Sequence, residues 1–264
     1  MENIKKMDSF DNKVVDKQKR SVSLPRESIL RNIEERATDN NKILLYHGNP
    51  NMDFKPYFGG GEDYHDYGKG LYCVYGTSEG LELAKEWACQ RNDKNETYVH
   101  PYNFEYKRLE NPQILDLTEL DVLYSLSALA QHRFGANETR IRKKLREDFI
   151  NLFPVDCEKY DIIKGWRADD RYYVFLNLFL TDGITYEAIR EIFHVGGQGF
   201  QFVIKSEQAY FAYDCLDVIT VTGDEYKNYY DRYHEKITNT AEELVALQDI
   251  DGIILSQIVA QGGI

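Results

Sequence analysis

Short apolar runs of strand length, set between helical stretches of unequal length, constrain this chain more than any other feature. Ile43-Leu44-Leu45-Tyr46-His47-Gly48 is an apolar run that ends on a glycine. A glycine-rich stretch containing Gly59-Gly60-Gly61 follows, and Gly70-Leu71-Tyr72-Cys73-Val74-Tyr75 is a second run. Thr77 or Ser78 can cap a helix reaching about Arg91, with Leu81, Leu83, Ala84, Trp87 and Ala88 on its apolar side. Further strands are expected over 97–106, 114–117, 160–163, 201–205 and 216–221, with Ser206 capping a helical turn after the fourth. Helices are expected over 118–134, 138–152, 172–180, 185–193, 224–234 and 240–247. These elements keep no regular βαβ beat, so the expected class is α+β.

At 264 residues, with 42% hydrophobic and 29% charged residues, the chain can bury a core without a disulfide or metal staple. Residues 25–264 are expected to form a single domain, with a helical insertion around 118–155 and a helical C-terminal extension from about 224. Residues 1–24 are polar and mixed in charge and are expected to be a flexible N-terminal arm, either disordered or ordered on a partner. A short helix is expected to open after it, with Ser23 near the cap and Pro25 in the first turn. Met1 to Arg20 lacks an apolar stretch of the signal-peptide kind, and the longest nearly apolar run, Tyr172 to Leu180, is too short to span a bilayer. Cys73, Cys89, Cys157 and Cys215 are far apart, which suits reduced thiols. A cytoplasmic protein with no membrane contact is the expectation.

The 32 basic residues against 44 acidic ones leave a net charge of −12, which argues against a general nucleic-acid coat. The basic run Arg140, Arg142, Lys143, Lys144 and Arg146, with Arg133 just upstream, is the local exception. It is either a solvated helix surface or a phosphate-binding patch beside a cleft. Gly68-Lys69-Gly70 lacks the upstream glycine and the hydroxyl residue of a phosphate loop, and no G-x-G-x-x-G follows a strand. No ligand pair among His47, His65, Cys73 and Asp66 has a familiar zinc spacing, so no metal is expected.

Three segments stand out together: Tyr46-His47-Gly48, Asp66-Tyr67-Gly68-Lys69-Gly70-Leu71-Tyr72 and Gln201-Phe202-Val203-Ile204. Singly each is ordinary, a strand-end histidine or a core tyrosine. In this order they resemble the ADP-ribosyltransferase superfamily, in its diphtheria-toxin and poly(ADP-ribose)-polymerase branch. There a His-Gly, a Gly-x-Gly-x-Tyr and a Glu on successive strands form the NAD site. More closely, the chain is similar to an uncharacterised bacterial family of that fold associated with toxin systems. Ala84-x-x-Trp87-Ala88, Gly165-Trp166-Arg167-Ala168-Asp169-Asp170 and Gln201 to Ala209 extend the likeness, which covers roughly Ile43 to Val221.

The resemblance implies a split β-sheet core with surrounding helices, NAD as donor substrate and no metal. It implies a mono-ADP-ribosyltransferase that cleaves the nicotinamide–ribose bond through an oxocarbenium-like state, as in glycoside hydrolysis. His47, Tyr72 and Gln201 would be the catalytic set. His47 would bond a ribose hydroxyl, Tyr72 would stack on nicotinamide, and Gly48 would offer backbone groups to the carboxamide. Asp66, Gly70 and Ser78 would complete the donor site. Gln201 stands where the branch has its Glu, so charge stabilisation is weaker and a general base is absent. Asp169, Asp170, Gln198 and Glu207 are the residues that could face the acceptor, though capping or surface roles suit them equally. The acceptor would be a protein, RNA or DNA, and a toxin or phage-defence setting would bring a neutralising antitoxin partner. Two alternatives stay open: an NAD glycohydrolase, and a catalytically inactive module that binds NAD or a partner.

Overall fold

A computed structural model describes residues 42–90, 95–133, 138–168, 170–195 and 199–264. The expected N-terminal arm and the helix after Ser23 lie outside the described residues. The described chain is α+β, built on an eight-stranded, mostly antiparallel sheet.

The strands are β1 (Ile43–Asn49), β2 (Leu71–Tyr75), β3 (Glu96–Phe104), β4 (Ile114–Asp116), β5 (Ile162–Trp166), β6 (Phe200–Ile204), β7 (Tyr213–Cys215) and β8 (Ile219–Thr222). Their order in the sheet is β4-β5-β6-β2-β1-β3-β7, and β8 pairs with the other end of β3. Only β4 and β5 run parallel. The alternation of buried and half-buried residues along Ile43 to Tyr46 is what a strand with one face on the core requires.

The helices are α1 (Ser78–Gln90), α2 (Val122–Arg133), α3 (Arg140–Leu152), α4 (Asp170–Phe179), α5 (Tyr186–Val195), the single turn α6 (Glu207–Tyr210), α7 (Gly223–Gln248) and α8 (Leu255–Gln261). Thr77 caps α1 by accepting from the Gly80 N–H at 3.0 Å, Thr139 caps α3, and Ser206 caps α6. The stretch from 224 on, expected as two helices, is one continuous helix, α7.

Two apolar clusters are the largest among the described residues. One lies on the sheet, where Leu45, Tyr102, Phe104 and Phe202 are enclosed. The other is helical: Leu123, Leu126 and Leu129 of α2, Phe149 of α3, Phe175, Leu176 and Phe179 of α4, and Ile189 of α5 meet Leu255 and Ile258 of α8. Helix α1 packs on β1, β2 and β3 through Ala84 against Val74 and Val99. No helix among the described residues is long and apolar enough to cross a membrane.

Candidate functional site

The sheet opens between β1 and β2. Their ladder pairs Leu45 with Tyr75 and Tyr46 with Val74 and goes no further, although β1 stays paired to β3 through Asn49. Past that point His47 turns its side chain across the gap, and its Nδ1 lies 2.7 Å from the Tyr72 carbonyl oxygen. A carbonyl only accepts, so Nδ1 carries the hydrogen and Nε2 is the acceptor, which takes a bond from the Asn49 amide at 3.3 Å. Burial lowers the His47 pKa to about 4, so the ring is neutral near pH 7.

The gap leads into a cavity of about 320 Å³, within the range of small-molecule sites. Gly48 lines it from β1, Tyr72 from β2, Gly70 from just before β2, Trp87 and Ala84 from α1, Gln201 from β6, and Arg133 from the end of α2. The loop after β1 closes one side with Pro56, Tyr57, Gly60 and Gly61, and Phe54 stacks on His47 with ring centres 4.8 Å apart. Gly48 is glycine for a packing reason as well, because a Cβ there would collide with the Ala84 carbonyl oxygen of α1. Gly70 is needed for the approach of β6, where a Cβ would press on Val203 and the Ile204 carbonyl.

Tyr72 is fixed by its hydroxyl, which donates to the Gly68 carbonyl at 2.6 Å and accepts from the Tyr67 N–H at 2.9 Å. Gly68 turns the chain there with φ +75°, a conformation that favours glycine. Burial raises the Tyr72 pKa, and it stays a neutral donor. The ring is thereby held at the cleft wall with His65 beside it, ring centres 5.2 Å apart.

Gln201 sits at the floor, buried, opposite Gly165 of β5. Its Nε2 donates to Asp66 Oδ2 at 2.8 Å and to the Trp166 carbonyl at 3.1 Å. Both partners only accept, which settles which end of the amide is nitrogen and leaves Oε1 as the acceptor end. Asp66, 4% exposed, also takes the Ala168 N–H at 3.3 Å and pairs with Arg133 at 2.5 Å. Arg133 in turn lies over the Tyr173 ring, 4.1 Å from its centre. A carboxylate therefore stands in hydrogen-bond contact with Gln201, supplied by the loop before β2. Behind it, Lys205 bonds the Tyr67 carbonyl at 2.6 Å and Glu158 at 2.8 Å, and Tyr67 reaches the Trp166 carbonyl at 2.8 Å.

His47, Gly48, Asp66, Gly70, Tyr72 and Gln201 thus share one cleft. Ser78 does not line it; it is exposed at the start of α1, beside the capping Thr77. Glu207 is exposed in the first turn of α6, also away from the lining. Asp169 and Gln198 lie outside the described residues, and Asp170 opens α4. The basic run is not a free patch: Arg146 is buried against Glu138 at 2.9 Å, Lys144 pairs with Asp148 at 2.8 Å, and Arg142 reaches Glu138 and Asn177. The neighbour that enters the cleft is Arg133. Sequence reasoning set Arg133 beside the possible phosphate patch, held Arg167 only within the Gly165 to Asp170 likeness, and missed Phe54 and Asn49, for which position in the chain carries no signal. Among the described residues no group of three metal-ligating side chains occurs.

Residues 43–217, which are 175 of the 264, match the family model described as "protein of unknown function (DUF3990)". No curated protein and no solved structure matches the chain.

Proposed function

This chain belongs to the DUF3990 family, and we propose that it is a mono-ADP-ribosyltransferase, taking ADP-ribose from NAD to an intracellular protein or nucleic acid. The observation that carries the reading is the opened β1–β2 pair. Three strands bring His47, Gly48, Tyr72 and Gln201 to one cavity, the set for which the resemblance has a use. Free backbone groups beside Gly48 suit a carboxamide, and the anchored Tyr72 ring suits a flat aromatic partner. The neutral His47 has one acceptor nitrogen, Nε2, which a ribose hydroxyl would take over from the Asn49 amide and which a protonated ring would lack.

Gln201 is less of a departure than the sequence suggests. Its Oε1 accepts, as a carboxylate would, and its amide nitrogen is tied to the Asp66 carboxylate. Hydroxyl grip, given with a negative charge by one Glu in the related branch, falls here to Gln201, while the Asp66 charge beside it is already met by Arg133. Catalysis on such a site rests on fixed dipoles aimed at the charge that develops on the sugar. Nothing in the set is a strong base for the acceptor, so the acceptor must be nucleophilic already, which disfavours polymer formation. A toxin or defence setting with a neutralising partner rests on the resemblance alone.

The test is to incubate the protein with NAD labelled in its adenylate half and a cell lysate, then digest the product separately with protease and nuclease. Transfer of label by wild type and not by Tyr72→Ala supports the proposal and names the acceptor class. Free ADP-ribose without labelled macromolecule would make it a glycohydrolase. The neutral residue at position 201 favours one second reading, an inactive binding module: NAD binding without nicotinamide release, with turnover restored by Gln201→Glu, would establish that instead.

A further inference from the structure

Arg167 follows β5, and its N–H bonds the Gly199 carbonyl at 3.3 Å. Its side chain lines the cleft and is 5% exposed. Neither terminal nitrogen has a hydrogen-bond partner among the described residues. Burying a guanidinium without a partner is among the least favourable arrangements a folded chain can hold, and groups of this kind are rare in native interiors.

The charges around it explain what it lacks. The carboxylates lining the cleft are Asp66 and Glu62. Asp66 is engaged by Arg133, by Gln201 and by the Ala168 N–H, and Glu62 is exposed. Among the described residues the cleft interior therefore holds one buried anion and two cations, although the chain as a whole carries −12. Arg133 adds a second unmet donor, since its Nε is also without a partner. Arg133 pairs with Asp66, and the residue after Arg167, Ala168, gives its N–H to the same carboxylate. Arg167 is also one residue from Trp166, whose carbonyl takes the Gln201 amide.

From this we infer that Arg167 is the anchor of a diphosphate subsite in the cleft, with Arg133 as the second donor. The planar guanidinium presents paired N–H groups that match two oxygens of a phosphate, a geometry an ammonium cannot reproduce. Placement one residue from the Gln201 contact suits a phosphate attached to the sugar that Gln201 would hold. The inference rests on the proposed NAD chemistry for that attachment, while the unpaired cation itself does not depend on it.

The test is calorimetric titration of inorganic pyrophosphate, ADP and phosphate-free nicotinamide riboside into wild type, Arg167→Gln and Arg167→Lys, beside NAD cleavage by each. Wild type should bind pyrophosphate and ADP, and Arg167→Gln should weaken both by about tenfold or more. Nicotinamide riboside should change by less than about twofold, because it has no group for the fork. Equal binding of pyrophosphate and ADP by wild type and Arg167→Gln, or no binding by wild type, would overturn the subsite. Should Arg167→Gln not fold, Arg167→Lys carries the test, since it keeps the charge and loses the fork: a loss of about threefold or more supports the subsite and wild-type affinity overturns it. Pyrophosphate bound through Arg167 with NAD left uncleaved would leave the subsite standing and remove the transferase reading. NAD cleaved equally by wild type and Arg167→Gln, with equal ADP affinity, would do the reverse.

Discussion

Arg146 and Arg167 are both buried arginines, 9% and 5% exposed, in two different parts of the same acidic chain. In the helical core Arg146 is satisfied: Glu138 meets its Nε at 3.0 Å and its Nη2 at 2.9 Å, and the Ala130 carbonyl lies 3.4 Å from Nη1. In the cleft neither terminal nitrogen of Arg167 meets a partner among the described residues. One is a fastener between α2 and α3, and the other is a charge held ready. The same contrast runs through both regions. Lys164 on Asp116 is a closed pair, whereas Asp66, Arg133 and Gln201 form a network with donors left over at the cavity wall. Stability in this molecule is concentrated where polar groups are paired, and chemistry is expected where they are not.

The largest effect should come from breaking the closed pair. Arg146→Met should destabilise the fold by about 3–5 kcal/mol in urea unfolding, because buried Glu138 would keep only the distant Arg142, 3.9 Å away. A loss below about 1 kcal/mol would erase the contrast.

Acid should act on the cleft next. Above about pH 6.5, His47 is neutral in both folded and unfolded chains and contributes nothing to the pH dependence. As pH falls toward about 4, the unfolded chain takes a proton that the buried ring refuses, so stability is lost across that window. The His47 share is on the order of 3 kcal/mol, with His100 and His132, also lowered by burial, adding in the same direction. Unfolding free energies at pH 7 and pH 4.5 should fall less steeply in His47→Gln than in wild type; identical slopes would contradict the buried neutral ring.

A backbone test of the cleft follows. Gly48→Ala should cost about 2 kcal/mol, read by thermal melting, since α1 must shift off the Ala84 carbonyl. Unchanged melting would mean that α1 does not press on β1 as described.

Arg167→Met should be the smallest effect and opposite in sign. Removing an unpaired buried charge should raise stability in the absence of ligand by roughly 1 kcal/mol. A loss comparable to that of Arg146→Met would show that Arg167 is a fastener too.

Much of this fold is legible in the sequence because its strands are short, apolar and bounded by glycine. The run from Ile43 and the run from Leu71 both become strands, and Ser206 caps its turn. The misses have physical causes. The strand expected over 160–163 forms as Ile162–Trp166, crossing Gly165, where the Tyr67 hydroxyl end occupies the place of a side chain. Strand β7 is only three residues and exists by pairing with β3, a tertiary cause that local pattern does not carry. The cleft lining was legible on its strands, where His47, Tyr72 and Gln201 belong to three apolar runs that the fold brings together. Arg133, read only as the upstream neighbour of the basic run, and Arg167, read only within the Gly165 to Asp170 likeness, had no assigned place in the cleft, since one ends an ordinary helix and the other follows an ordinary strand. What singles them out is donor nitrogens left without a partner, Nε of Arg133 and both terminal nitrogens of Arg167, which no sequence displays.

The central claim is that the cleft between β1, β2 and β6 takes NAD and breaks its nicotinamide–ribose bond. Nicotinamide release from NAD by the purified protein with lysate acceptors present tests it most directly. Release by wild type that falls by about a hundredfold or more in folded Tyr72→Ala is the predicted result. No release by folded wild type, or release that Tyr72→Ala leaves unchanged, would contradict it.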